Sequence, residues 1–413
     1  MKQESPAARC GMKEDDGLKV LLATCGGYWL LQVAQAYEKR GVLAGLWLVG
    51  RKKRMVNLPA EKVRCCLAFH LAMMPFYFWA PQIWIERTFY AILPIWKVWF
   101  RARPLPACDV VQAITGFATE PFDEADRMGA LKVADCPNSH PVSYYGFWQR
   151  ECDLWCPGEK VPIPEWMFAR MNRELDRADM IIVQSEFCKE SMVYNGIPAE
   201  KVMVNPMGVD VSIFKPRSTV PAKPRFISVG TICLRKGHQY LFRAFEIVKR
   251  RLPAAELICV GQYKQHFRKE RTKWVGTFTH YPSLSHPEVA ALLRSCTAFV
   301  FPSQEEGIAR AQVEALACGL PVVGTHEGGA TTLVEDGVEG FIVRGRDPAH
   351  IAEAMIRLAE DRELNRRMGE AAYQKGAVNN TWQDYGDRLL AEYRRRLRAS
   401  KIEHGKTSSN ISR

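Results

Sequence analysis

The 413-residue chain contains no Asp-x-Asp anywhere, so one short carboxylate motif for holding a divalent cation is missing. No Gly-x-Gly-x-x-Gly follows either of the apolar runs Leu18–Cys25 or Phe226–Val229. That removes the dinucleotide fingerprint and argues against a nucleotide-dependent oxidoreductase. Residues 1–16 (MKQESPAARCGMKEDD) lack an apolar core, so no secretory leader is read there. Acids are short relative to bases, 45 against 57, for a formal charge of +12. Such an excess favours anionic partners. No nucleic-acid recognition motif accompanies it, and a nucleic-acid partner is not expected. The 13 cysteines are odd in number and irregularly spaced, which excludes a disulfide framework and points to reduced thiols in a cytoplasm. Cys136, His140, Cys152 and Cys156 form a loosely zinc-like C-x3-H-x11-C-x3-C. Structural zinc more often uses tight knuckles, so no metal site is expected.

What remains is the composition of a globular protein, 47% hydrophobic and 25% charged, in a chain long enough for two cores. Short apolar runs alternate with helical patterns. The runs are Leu18–Cys25, Gly45–Val49, Asp109–Ala113, Leu131–Asp135, Met180–Ser185 and Lys201–Pro206. After the Pro- and base-rich linker Lys215–Arg225 come Phe226–Gly230, Glu256–Gly261, Ala298–Pro302, Pro321–Gly324 and Gly340–Val343. This rhythm predicts an α/β chain with two doubly wound parallel sheets, and ligands gather at the carboxyl ends of such strands. The first unit spans 17–216 and the second 224–384. A basic helix over 385–400 is expected to pack back toward the first, and 1–16 and 401–413 are read as flexible tails.

Cys65–Ile85 breaks the rhythm, because it holds no Asp, Glu, Lys or Arg. Its length is nominally that of a membrane span, but Pro75 and Pro81 would break a helix there. Aromatics (Trp84, Phe89, Tyr90, Trp96, Trp99, Phe100) and bases (Arg51 to Arg54, Lys97, Arg101, Arg103) flank it. Three readings stay open: helices on the domain's own core, peripheral contact with an anionic membrane surface, or a true span.

SQEEGIARAQVEALACGLP, Ser303–Pro321, places Glu306 and Glu314 in an E-x7-E spacing. A helix beginning near Ile308 would offer free amides and a positive dipole end to a diphosphate. Gly307 would let the backbone approach closely. Glu306 would sit at the mouth, and Glu314 about 12 Å along at roughly 1.5 Å per residue. A carboxylate suits a vicinal diol, since its two oxygens accept both O–H groups.

The motif run resembles the retaining family 4 glycosyltransferases. It comprises Pro302-Ser303, Glu306-Gly307-Ile308, Glu314-Ala315, Ala317, Gly319 and Pro321-Val322-Val323. The similarity extends from about Asp176 to Tyr393 through Gly208-Val209-Asp210, Gly230 to Gly237 and Asp336-Gly337. Before His140 it is weak.

The resemblance implies the GT-B fold: two Rossmann-like domains facing across a cleft, with the acceptor on the first and a nucleotide sugar on the second. It implies that Glu306 contacts the transferred sugar and Glu314 the ribose. Lys236 would stabilise the leaving diphosphate, and His140 would touch the sugar. Gly307, Ile308, Ala309, Arg235 and Thr231 would line the donor. Gly26 and Gly27 would do so too, or else form a plain strand-to-helix turn.

Two departures stand out. Thr231 replaces a frequent arginine and Ala309 the usual glycine. Arg235 could substitute only if it and adjacent Lys236 shared a direction, which neighbouring residues do not. The expected activity is retaining, metal-independent sugar transfer to a saccharide or lipid-linked acceptor, with no cofactor beyond the donor. A weakened nucleotide-sugar-binding protein is the alternative. The expected place is the cytoplasm, with peripheral contact at the inner face of the membrane.

Overall fold

The computed structural model describes residues 17–25, 28–49, 57–79, 88–161, 163–264, 273–274, 276–378 and 380–411. The first half runs β1 (Val20–Thr24), α1 (Tyr28–Lys39), β2 (Leu43–Leu48), β3 (Val63–Cys65), α2 (Leu67–Trp79), α3 (Leu93–Arg101) and β4 (Val110–Ile114). It continues with α4 (Thr119–Met128), β5 (Leu131–Asp135), α5 (Pro141–Trp155), α6 (Glu165–Arg177), β6 (Met180–Val183), α7 (Glu186–Tyr194) and β7 (Val202–Val204). The second half runs β8 (Arg225–Val229), α8 (His238–Arg251), β9 (Glu256–Val260), β10 (Thr279–Tyr281), α9 (His286–Arg294), β11 (Ala298–Phe301) and α10 (Arg310–Ala317). Then follow β12 (Val322–Gly324), α11 (Ala330–Leu333), β13 (Gly340–Ile342), α12 (Pro348–Glu360), α13 (Arg362–Ala377) and α14 (Trp382–Ile411).

The strands form two sheets, ordered β3-β2-β1-β4-β5-β6-β7 and β10-β9-β8-β11-β12-β13. All named pairings are parallel, for example Leu22↔Gln112 between β1 and β4 and Ile227↔Ile258 between β8 and β9. β1, β4 and β6 are buried along their whole length, because helices cover both faces of a parallel sheet. That is why they read as continuous apolar runs. The two strands absent from the sequence reading, β3 and β10, are three-residue edge strands with partly exposed side chains. They carry no apolar run to announce them.

The last helix returns to the first sheet. Tyr393 Oη donates to Gln112 Oε1 on β4 at 3.0 Å, Tyr37 Oη on α1 donates to the same oxygen at 3.2 Å, and Arg40 pairs with Asp387. α14 continues through residues 401–411 that the sequence assigns to a tail.

α2 and α3 resolve part of the apolar anomaly. Phe69, Met73, Leu93, Trp96 and Phe100 are buried, and Trp47 on β2 packs on Trp99 and Phe100. Leu67, Leu71 and Val98 stay exposed, Val98 at 68%. No helix of the described residues is long and apolar enough to cross a membrane. Residues 80–87 lie outside the described residues.

Candidate functional site

In the second sheet the strand order reverses between β8 and β11, the switch point where open α/β sheets bind ligands. The two loops leaving these strands pack directly on each other. Gly237, at φ 71°, caps the amino end of α8, and a Cβ there would lie 1.9 Å from the Pro302 carbonyl oxygen. Only glycine combines that left-handed backbone with that contact. The packing sets Lys236, at the end of the first loop, beside Glu306, in the second.

Lys236 Nζ stands 3.0 Å from the Glu306 carboxylate and Arg235 Nη1 stands 3.3 Å from the same oxygen. The expectation that Arg235 and Lys236 diverge is therefore corrected. They are adjacent in a tight turn, and two long side chains converge from it. Burial works to raise the Glu306 carboxyl, but the Lys236 and Arg235 cations outweigh it and hold it below the ordinary carboxylate range. Lys236 also lies over the Phe301 ring at 5.3 Å, and Arg235 over the ring of Tyr144, from α5 of the first half, at 5.6 Å.

Glu305 is the residue that the sequence reading passed over. It is 0% exposed and takes donors from both halves. Ser139 N–H and Oγ–H reach its Oε1 at 3.0 Å each, and Asn138 Nδ2 reaches Oε2 at 3.2 Å. Arg235 Nη1 donates to the same Oε2 at 2.8 Å. Burial pushes its carboxyl up, against the pull of Arg235. The signal was present, two consecutive acids in Q-E-E-G, but which points where is a matter of backbone geometry.

Gly307 makes a close approach that the sequence does not show. A Cβ there would lie 2.1 Å from the Pro137 carbonyl oxygen. The close approach is to the β5–α5 loop of the first half, so this glycine lets the halves touch.

His140 ends that same β5–α5 loop and caps α5. Its Nδ1 accepts from Val142 N–H at 3.3 Å, and its own N–H donates to Ser191 Oγ at 2.9 Å. Burial lowers its pKa, which favours the neutral ring. With Nδ1 accepting, the proton sits on Nε2. His140 is next to Ser139, and so one residue from the Glu305 network.

α10 begins at Arg310, within two residues of Ile308, with Ala309 in extended conformation as its cap. Residues 307–309 are outside the helix, so 1.5 Å per residue does not measure the separation. Ile308 and Ala309 are buried. Glu314 is 5% exposed and pairs with Arg310 Nε at 3.0 Å rather than with Lys236 or Arg235. Burial raises its carboxyl, with Arg310 opposing. Arg310 in turn reaches His286 Nε2 at 3.1 Å. Thr231 follows Gly230 at the carboxyl end of β8. Gly26 and Gly27 lie outside the described residues. Cys136, His140, Cys152 and Cys156 do not gather into a ligand set, and no metal-holding group of His, Cys, Asp or Glu is found among the described residues.

Residues 212–375 match the family model described as Glycosyl transferases group 1. That span holds Lys236, Glu306 and Glu314 and excludes His140. Among curated proteins, the D-inositol 3-phosphate glycosyltransferase of Paenarthrobacter aurescens is 29% identical over 242 residues, covering 54% of this chain and 59% of that protein. The enzyme of the same name numbered 1 from Catenulispora acidiphila is 29% identical over 274 residues, covering 60% and 64%. The chain thus spans less than two thirds of the length of these relatives. Among solved structures, sucrose-phosphate synthase from Thermosynechococcus elongatus superposes with a TM-score of 0.72 at 17% identity, over 92% of this chain and 100% of that one. Anabaena HepE in complex with UDP gives 0.67 at 16%, over 91% and 99%. With two parallel α/β sheets meeting at the switch-point loops, these likenesses define a GT-B architecture.

Proposed function

We propose that the protein is a glycosyltransferase that moves a sugar from a nucleotide-diphosphate sugar to a saccharide or lipid-linked acceptor, with retention and without a metal. The observation that carries this is the Glu306 carboxylate held between Lys236 and Arg235 where the two halves meet, inside the span that matches the family model. Arg235 and Lys236 balance Glu305 and Glu306 in charge, so an entering diphosphate competes with Glu306 for Lys236. As it takes over that cation, Glu306 turns to the sugar hydroxyls. The anomeric C–O bond then breaks with its electron pair on the diphosphate oxygen, and Lys236 and Arg235 stabilise the growing charge. The acceptor hydroxyl adds from the same face, and its proton passes to the leaving phosphate. Neutral His140, with Nε2–H as donor, fits a contact to the transferred sugar. Glu314 is assigned to the ribose diol, sharing its carboxylate with Arg310.

The test is a thermal-shift screen with UDP-, GDP- and ADP-sugars, followed by turnover of the hit in excess EDTA. UDP-sugars come first because the HepE structure holds UDP. Saturation at a hundred times the dissociation constant stabilises by about 2.7 kcal/mol. One donor class should shift the protein and be turned over equally with and without EDTA. No shift with any class sinks the proposal, and loss of turnover on chelation sinks metal independence. Binding without transfer or hydrolysis selects the second reading, a weakened nucleotide-sugar-binding protein, which Thr231 and Ala309 favour.

The acceptor side is assigned to the first half, with peripheral contact to an anionic leaflet through the exposed Leu67, Leu71 and Val98 and the bases Lys97, Arg103 and Arg101, the last paired with Asp123. Each base near such a surface contributes about 1 kcal/mol. Sedimentation with phosphatidylserine vesicles should carry the protein down at low salt and release it at high salt. A protein that stays in the supernatant at low salt refutes this contact.

A further inference from the structure

The turn that carries Lys236 is gripped on both sides by buried carboxylates. Before it, Arg235 is held by Glu305, which also takes Ser139 and Asn138 from the first half. After it, Gln239 and Tyr240, in the first turn of α8, are held by Glu151 from the first half. Gln239 Nε2 and Tyr240 Oη each donate to Glu151 Oε2 at 2.9 Å. The other oxygen of Glu151 takes Arg346 Nε at 2.7 Å, and Glu151 is 0% exposed. Gln239 Nε2 also donates to Leu234 O at 2.9 Å, closing the turn on itself, and Trp155 Nε1 donates to Tyr240 Oη at 3.2 Å.

Both grips belong to one helix. Asn138 and Ser139 lead into α5, and Glu151 lies near its carboxyl end. Glu151 is satisfied by Gln239, Tyr240 and Arg346 of the opposite half, and Glu305 takes Asn138 and Ser139 from the opposite half besides Arg235 from its own. Separating the halves would therefore strip partners from two buried charges at once.

We propose that Glu151 and Glu305 are positioning residues that act through α5. They fix the Lys236 turn, so the cation reaches its working place only when the two halves are together. This rests on the reading of Lys236 as the diphosphate cation.

Hydrogen–deuterium exchange of the full chain tests it in Glu151→Gln, Glu305→Gln and a control. The control is Glu190→Gln, which removes an exposed contact between the halves, to His326 at 2.8 Å. Amides of residues 235–240 should exchange about tenfold faster or more in both variants, with β9, β11 and the control at wild-type rates. With the donor found by the screen, kcat should fall about tenfold while KM changes less than about threefold, as expected for a misplaced transition-state contact. If the glutamine variants fail to fold, Ser139→Ala and Tyr240→Phe each loosen one grip by a single hydroxyl–carboxylate hydrogen bond, and the same turn should exchange several-fold faster. Unchanged exchange in the turn overturns the proposal, as does an equal loosening of the whole second sheet. The exchange measurement needs no donor. If no nucleotide sugar is turned over, the functional reading falls and the grip is still decided.

Discussion

The loop after β5 in the first sheet and the loop after β11 in the second face each other across one seam, and they bring different chemistry to it. The second half supplies ions: Arg235, Lys236, Glu305 and Glu306, within 3.3 Å of one another in successive pairs. At that loop the first half supplies neutral groups: Asn138, Ser139 and the capped ring of His140. Its strand-end acid, Asp135, is buried behind them and accepts from Gln112 Nε2 at 2.8 Å. A site divided this way keeps charge development on one rigid platform, while the other half reads shape and hydrogen bonds. The lesson is that a charged cluster marks where bonds break, while its alignment can depend on neutral donors from another domain.

Removing a charge from the second half should have the largest effect. Lys236→Met should lower kcat about 10²- to 10³-fold, the scale of one lost transition-state contact. Glu314→Gln, on the same half, should instead raise the donor KM with kcat held, because ribose contacts are equal in ground and transition states. Steady-state kinetics at saturating acceptor separates the two. A Lys236→Met enzyme with wild-type kcat would place the diphosphate elsewhere.

Prising the seam has an intermediate effect. In Gly307→Ala the new methyl carbon meets the Pro137 carbonyl oxygen, and overpacking of this kind costs about 1–3 kcal/mol. The thermal midpoint should drop, and small-angle scattering should show a larger radius of gyration. An unchanged radius would mean that the β5–α5 loop yields without moving the halves.

A further effect comes from the first half's own acid, and it is a matter of pH. Burial raises Asp135 to about 6, against hydrogen bonds from Gln112 and Trp29. Its folded pKa lies above the unfolded value of about 3.9. The native state therefore holds more protons between those values, and this contribution is full below about pH 4 and lost as pH rises through about 6. The fall amounts to about 2–3 kcal/mol. Asp135→Asn should abolish it, so the gap between variant and wild-type midpoints should grow from pH 4 to 7. A gap that is flat across that range would show that Asp135 titrates normally.

Much of this architecture is visible in the order of residues. Strands covered on both faces are mostly apolar, so β1, β4, β6, β8 and β11 declare themselves. Glu306, Gly307 and Lys236 stand in spacings that local backbone dictates, next to strands that can be read. What the chain order leaves open lies wherever two distant segments meet. The edge strands β3 and β10 exist only because a neighbouring strand offers a ladder. Gly307 reads as a ligand contact, and only the fold shows that Pro137 lies against it. Arg235 and Lys236 converge because a folded turn aims them. Glu305 and Glu151 are unremarkable acids in sequence, and they become buried anchors only when residues from the other half close over them. Local periodicity follows from burial of one segment. The desolvation of a charge, and the partners that satisfy it, depend on the whole tertiary arrangement.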